Sequence, residues 1–313
     1  MNSLRRLIFP ILIGCLAFAV GIALGGGPLQ ADEGDQTKTL RADNTSLTNQ
    51  VTSLRASAVF EQGVNQAVSP KLLDGRLAGR GVTLLTLPGV PDETVSETQQ
   101  ALKLAGADVP VVASLAADLI DPGKKTYVDS VVTSSLKGAP DLTNLKGEST
   151  YVRAGALLAR AYVGKGGNAN VDAEATKIDA ELQGAKLVSS NGAPIRRGTF
   201  VVILDSGEHG SDSFTQAEMV IAQDLITGLV KGSDALVVGS TPTSSESGGL
   251  ISELTDNAAM SGKRVSTVNV IGSAAGPTAL VYALAAAASG SPGHFGVIDS
   301  EAVLPPGLAA KGN

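Results

Sequence analysis

Two histidines, His209 and His294, and two internal methionines, Met219 and Met260, are the side chains best suited to a soft metal ion in the part of the sequence beyond the apolar run at 7–24. Copper(I) prefers thiolate and thioether ligands, and copper(II) prefers imidazole. None of the four is paired at ligand spacing, because the chain has no CxxC, HxH or MxxM. A site at His209 or His294 would need residues distant in sequence to meet, or two copies of His294 to meet across a dimer. Met219 and Met260 fall in predicted helices, where methionine usually fills the core. No resident cofactor is expected, and copper is the metal to consider.

The run Asp205-Ser206-Gly207-Glu208-His209 groups an acid, a hydroxyl and an imidazole after a predicted strand. Ligands of α/β sheets usually bind at the carboxyl ends of strands. With no second histidine nearby, the run reads as a solvated loop; a degenerate enzyme with its substrate loop here is the alternative. Residues 272–278 make a glycine-rich strand-to-helix turn, which can aim backbone N–H groups at an anion. Every α/β domain has such turns, so the ordinary reading is structural. HExxH, GxSxG, GxxxxGK[ST] and a GxGxxG after a strand are all missing from the sequence. No catalytic residue is assigned, and the chain reads as a non-enzyme.

The clearest spacing belongs to recognition. Leu40, Leu47 and Leu54 are seven apart, and Asn44, Val51 and Ala58 follow on the alternate seam. A seven-residue apolar repeat buries its seam against another helix, and one Asn at an a position favours two parallel strands. Leu40, Asn44, Leu47, Val51 and Leu54 are therefore the candidate partner-binding residues. The partner is a second copy or a neighbouring membrane protein. The competing reading is an amphipathic helix lying on its own globular domain.

A device of this kind must be held in place. Arg5 and Arg6 precede an apolar, uncharged run from Leu7 to Leu24, and Asp32, Glu33 and Asp35 follow it. About 20 apolar residues cross a bilayer, and basic flanks stay cytoplasmic. The reading is a single inner-membrane span within residues 1–30, with the N-terminus in the cytoplasm and the rest extracytoplasmic. A cleaved signal peptide competes with it, but the run is long for an h-region and no clean cleavage site follows. Gly21 and Gly25 form a GxxxG that could pack two anchors together.

Net charge is −6, and setting aside Arg5 and Arg6 leaves the remainder more acidic still. That excludes nucleic acid as a natural partner. Aromatic residues make up only 3% and Trp is missing, too few for stacking platforms. The one cysteine, Cys15, sits in the apolar run, so the exported part has no disulfide.

After a helix over residues 35–68, closed by Ser69-Pro70, the chain alternates short apolar runs with helical stretches. Strands are expected at 82–87, 109–113, 200–204, 235–238 and 265–271. Helices are expected at 92–104, 127–136, 151–162, 173–183, 214–230, 250–260 and 278–288, with Asp92 as a cap. Continuous apolar strands separated by helices imply a mostly parallel sheet in an α/β domain over 70–290. The corners Gly106-Ala107-Asp108 and Gly232-Ser233-Asp234 hint at two sub-lobes or a weak repeat. Residues 291–313 are expected to be a largely disordered tail.

The stretch LPGVPDETVSETQQALKLAGADVPVVASL, then SVVTSSL at 130–136 and SPGHFGV at 291–297, together with the anchor and the leucine heptad, resemble the MctB-like copper-transporter family of actinobacteria. That resemblance implies copper efflux or copper homeostasis at the envelope. Corynebacterial relatives imply a second role, as membrane-anchored partners that help activate a peptidoglycan hydrolase in cell separation. A single span offers no conducting path, which needs several helices or a closed barrel. The expectation is therefore an anchored, dimeric scaffold or activator of peptidoglycan hydrolysis, with copper efflux as the alternative.

Overall fold

The computed structural model describes residues 28–145, 147–207, 213–257 and 265–308. The anchor expected from Leu7 to Leu24, together with His209 and Met260, lies outside the described residues. No helix among the described residues is long and apolar enough to cross a membrane. The chain divides into two units, Met1–Phe60 and Glu61–Asn313.

Helix α1 (Pro28–Leu73) runs through both units. It extends past the expected 35–68 and carries Pro70 inside it. Ser69-Pro70 does not end the helix, because contacts within the second unit hold its last turns. Ser69 Oγ lies 3.2 Å from Thr278 Oγ1, the Tyr282 hydroxyl donates to Leu72 O at 2.8 Å, and Leu73 is fully buried. Local proline preference yields to tertiary packing here.

The second unit is one seven-stranded sheet between two helical layers. Its strands are β1 (Gly81–Thr86), β2 (Asp108–Leu115), β3 (Val188–Ser190), β4 (Phe200–Leu204), β5 (Ala235–Gly239), β6 (Val265–Val268) and β7 (His294–Phe295). Their order is β3-β2-β1-β4-β5-β6-β7. All pairs are parallel except β2–β3. The parallel α/β expectation holds. The antiparallel edge strand β3 was not legible, since Val188-Ser189-Ser190 is short and mostly polar.

The helices are α2 (Asp92–Leu104), α3 (Ala117–Ile120), α4 (Lys125–Leu136), α5 (Thr150–Tyr162), α6 (Ala173–Gly184), α7 (Ser213–Val230), α8 (Leu250–Asp256) and α9 (Gly276–Ala288). Side chains alternate along each strand, so β4 divides its residues between two cores. Val201 and Ile203 join Leu157, Leu158, Ile178, Leu225 and Leu229 on one face. Phe200, Val202 and Leu204 join Leu102, Leu280, Val281 and Leu284 on the other, where Leu73 also sits. Each such side chain, fully buried, contributes about 1.5–3 kcal/mol. This double burial explains why the strands read as unbroken apolar runs.

Among the described residues, the starts of α5 and α6 are capped by side chains. Ser149 Oγ accepts the Val152 N–H at 3.1 Å ahead of α5, and Asp172 Oδ1 accepts the Ala175 N–H at 2.8 Å ahead of α6. Asp92 is not a cap. Pro91 holds that position, and Asp92 opens α2, where its charge favours the helix dipole.

The described strands join one sheet, and the two matching corners differ in backbone. Gly106 adopts φ +81°, a left-handed conformation, whereas Gly232 does not take a positive φ. The tail, expected to be disordered, is ordered as far as residue 308. β7 pairs with β6, Phe295 is buried, and Gly296 N–H donates to Ala302 O at 3.1 Å. A turn that folds back onto a sheet edge holds it, and that pairing cannot be read from local composition.

Candidate functional site

The heptad residues lie within the first unit, on helix α1. Leu40 is 68% exposed, Leu47 60%, Val51 44% and Leu54 69%. Asn44 is exposed in the same stretch. Three threonines of this stretch bond locally. Thr45, Thr48 and Thr52 each donate at 2.8 Å to the carbonyl four residues back. Thr48 Oγ1 also approaches Asn44 Oδ1 at 3.4 Å. The leucines have no such outlet and stand exposed to solvent.

A second constellation sits at the carboxyl edge of the sheet. β1 and β4 are neighbours, and the strands that follow each extend the sheet in opposite directions, which makes this the topological switch point. Asp205 follows β4 and is 1% exposed, so it does not belong to a solvated loop. Its Oδ2 accepts Ser240 Oγ at 2.6 Å and Ser244 Oγ at 3.2 Å. The hydroxyls make burial tolerable by replacing lost water. Glu208 and His209, the other members of that run, lie outside the described residues.

The network continues beyond the acid. Asn269 Nδ2 donates to Ser245 Oγ at 2.8 Å and to Ile298 O at 2.6 Å, while Asn269 Oδ1 accepts the Val297 N–H at 2.9 Å. Thr243 Oγ1 donates to Gly207 O at 2.7 Å. The ends of β4, β5 and β6 and the tail are thereby tied together. Ser240, Ser244 and Asn269 escaped the sequence reading. For Ser240 and Asn269 the available signal was a polar residue placed directly after an apolar strand; Ser244 carried none.

His294 opens β7 and is half-buried. Its Nδ1 lies 2.9 Å from Thr267 Oγ1. Burial lowers the imidazole pKa, and the Glu301 carboxylate opposes that shift. Among the described residues no three His, Cys, Asp or Glu side chains group as a metal site. Met219 is fully buried within α7. In the glycine-rich turn before α9, Gly272, Ser273 and Ala275 are exposed, Asn65 Nδ2 donates to Ala274 O at 2.5 Å, and Pro277, which lacks an N–H, occupies the first turn.

The heptad residues lie on α1 in the first unit, and the buried polar network belongs to the second. No curated protein matches the chain. Residues 1–306 match the family model described as copper transport outer membrane protein, MctB, and with nearly the whole chain inside that match the protein belongs to this family.

Proposed function

We propose that this chain is a membrane-tethered, non-enzymatic protein of the cell envelope that recruits a coiled-coil partner. Through that partner it activates peptidoglycan hydrolysis during cell separation. The partner helix belongs to a second copy or to a neighbouring membrane protein. The observation that carries this reading is the exposed seam of Leu40, Leu47, Val51 and Leu54. Arg5 and Arg6 ahead of the apolar run from Leu7 to Leu24 support one span with the α/β unit on the extracytoplasmic side. The described sheet supports a globular head: it is open, with edge strands β3 and β7, and carries helices on both faces. A lipid-facing barrel is closed, with an apolar outer surface.

The test replaces Leu47 and Leu54 together by Glu in the full-length protein. A crosslinker at Val51 should then lose the partner captured by the unchanged chain, and cells should remain joined. Unchanged capture and normal separation would overturn the reading.

Copper handling is the second reading, favoured by the description of the family. Titration of the full-length protein with copper tests it. Stoichiometric binding that is lost on replacing His209 and His294 by Ala would place copper first.

A further inference from the structure

A cavity of about 430 Å³ opens on the edge of the sheet opposite Asp205. Its charged lining comes from several separate segments of the chain. Arg160 stands in the last turn of α5, and Lys165 in the loop that follows. Arg197 lies three residues ahead of β4, and Lys231 follows α7. Asp141 and Asp172 complete it.

The charges are unevenly matched. Arg160 is shared by three carboxylates, Asp141 at 2.9 Å, Asp172 at 2.8 Å and Glu174 at 3.3 Å. Lys231 pairs with Glu148 at 2.6 Å. Arg197 and Lys165 form no ion pair among the described residues. Each donates only to a backbone carbonyl, Arg197 Nη1 to Arg160 O and Lys165 Nζ to Lys231 O, both at 2.7 Å.

Arg197 is 7% exposed, and its Nε–H is buried without an acceptor. Arg160 Nη1 and Glu174 Oε1 are likewise buried without partners. A buried guanidinium lacking an anion is costly, and an Nε–Nη2 edge is the side-on fork that fits a carboxylate. The backbone holds this fork in place. Arg197 N–H donates to Ala169 O at 2.8 Å, and the flanking residues Arg196 and Gly198 bridge Asn170 and Val163.

We propose that this cavity binds the head group of an α-amino acid, a carboxylate next to an ammonium. Arg197 and Lys165 receive the carboxylate, and the oversubscribed acids Asp141 and Asp172 receive the ammonium. An anion alone would leave three carboxylates crowding Arg160. An amine alone would leave Arg197 without an acceptor. The Arg160 hydrogen bond and the Ala175 N–H hold the Asp172 carboxyl down, to about 2, so it stays charged. Burial and the nearby Arg160 charge press the Arg197 pKa down, while burial and the Asp141 carboxyl push Glu174 up. The ligand is a free amino acid or the zwitterionic end of a diamino acid in a wall peptide, and both share this head group. The inference is independent of the partner seam.

The full-length protein in detergent is titrated calorimetrically with alanine, meso-diaminopimelate, a tripeptide ending in diaminopimelate, acetate and methylamine. At least one zwitterion should bind, with acetate and methylamine roughly tenfold or more weaker. Equal binding of alanine and diaminopimelate identifies a free amino acid as the ligand. Tighter binding of the tripeptide identifies a wall peptide. Arg197→Lys should weaken the zwitterion at least tenfold. Lys165→Met, at an exposed side chain, should weaken it with an unchanged melting temperature, which separates lost binding from lost folding. Asp141→Asn should weaken the zwitterion and leave acetate unchanged. The proposal is overturned if no zwitterion binds at millimolar concentration, if acetate binds as tightly, or if Lys165→Met and Asp141→Asn both bind like the unchanged protein.

Discussion

Asp205 and Ser240 end two neighbouring parallel strands, and the Ser240 hydroxyl donates to Asp205 Oδ2 at 2.6 Å in a site closed to water. Ser244 adds a second hydroxyl to the same oxygen at 3.2 Å. The carboxyl edge, where α/β proteins place ligands, is here tied together by its own side chains.

Replacing Asp205 by Ala should leave both hydroxyls buried without this acceptor. Each such group costs about 1–3 kcal/mol. The expected loss is about 3 kcal/mol in chemical denaturation, with the slope unchanged. A loss under about 0.5 kcal/mol would show that the network is dispensable.

Gly155 and Gly228 let α5 and α7 approach closely. A Cβ on Gly155 would lie 2.0 Å from Leu225 O, and one on Gly228 would lie 2.2 Å from Val152 O. Gly155→Ala should cost about 3 kcal/mol or more, because both obstacles are backbone. Gly184→Ala, with nothing within 4 Å, is the control. It should be neutral or stabilise by about 0.5 kcal/mol through the better helix propensity of Ala. Thermal melts of the two variants should therefore move in different directions, or only the first should fall.

Leu47→Glu with Leu54→Glu should leave the melting temperature of the α/β unit unchanged. Both side chains are exposed and belong to the first unit, so no core loses a contact. A drop in that melting temperature would show that the seam covers the protein's own domain rather than a partner.

The pH dependence of stability should carry a signature of His294. Its folded pKa is below the unfolded value of about 6.5, because burial disfavours the cation. The unfolded chain then binds more protons in the window below pH about 6.5. This contribution is fully present above that pH and declines as the pH falls through the window. His294→Gln should flatten the stability profile as the pH falls below about 6.5. An unchanged slope there would exclude His294 as its source.

The α/β class was legible because its evidence is local. Residues 200–204 read Phe-Val-Val-Ile-Leu, a run that only a doubly covered strand requires, and the structure places β4 there. The spacing of Leu40, Leu47 and Leu54 predicted a seam, and the structure shows that these residues are exposed on α1. Pro70 misled because a local rule was applied where Leu73 and Tyr282 supply long-range contacts. The tail misled for the same reason, since Asn269 and the edge of β6 hold it from outside its own segment.

By itself the sequence determined periodicity, charge and the order of elements, since these arise from residues within a turn or two of each other. Tertiary structure alone decided that Asp205 is buried, and that Arg160, Lys165, Arg197 and Lys231 share one cavity. Those facts depend on chain crossings between segments far apart in sequence, and no local pattern encodes which loops a parallel sheet will gather at each of its edges.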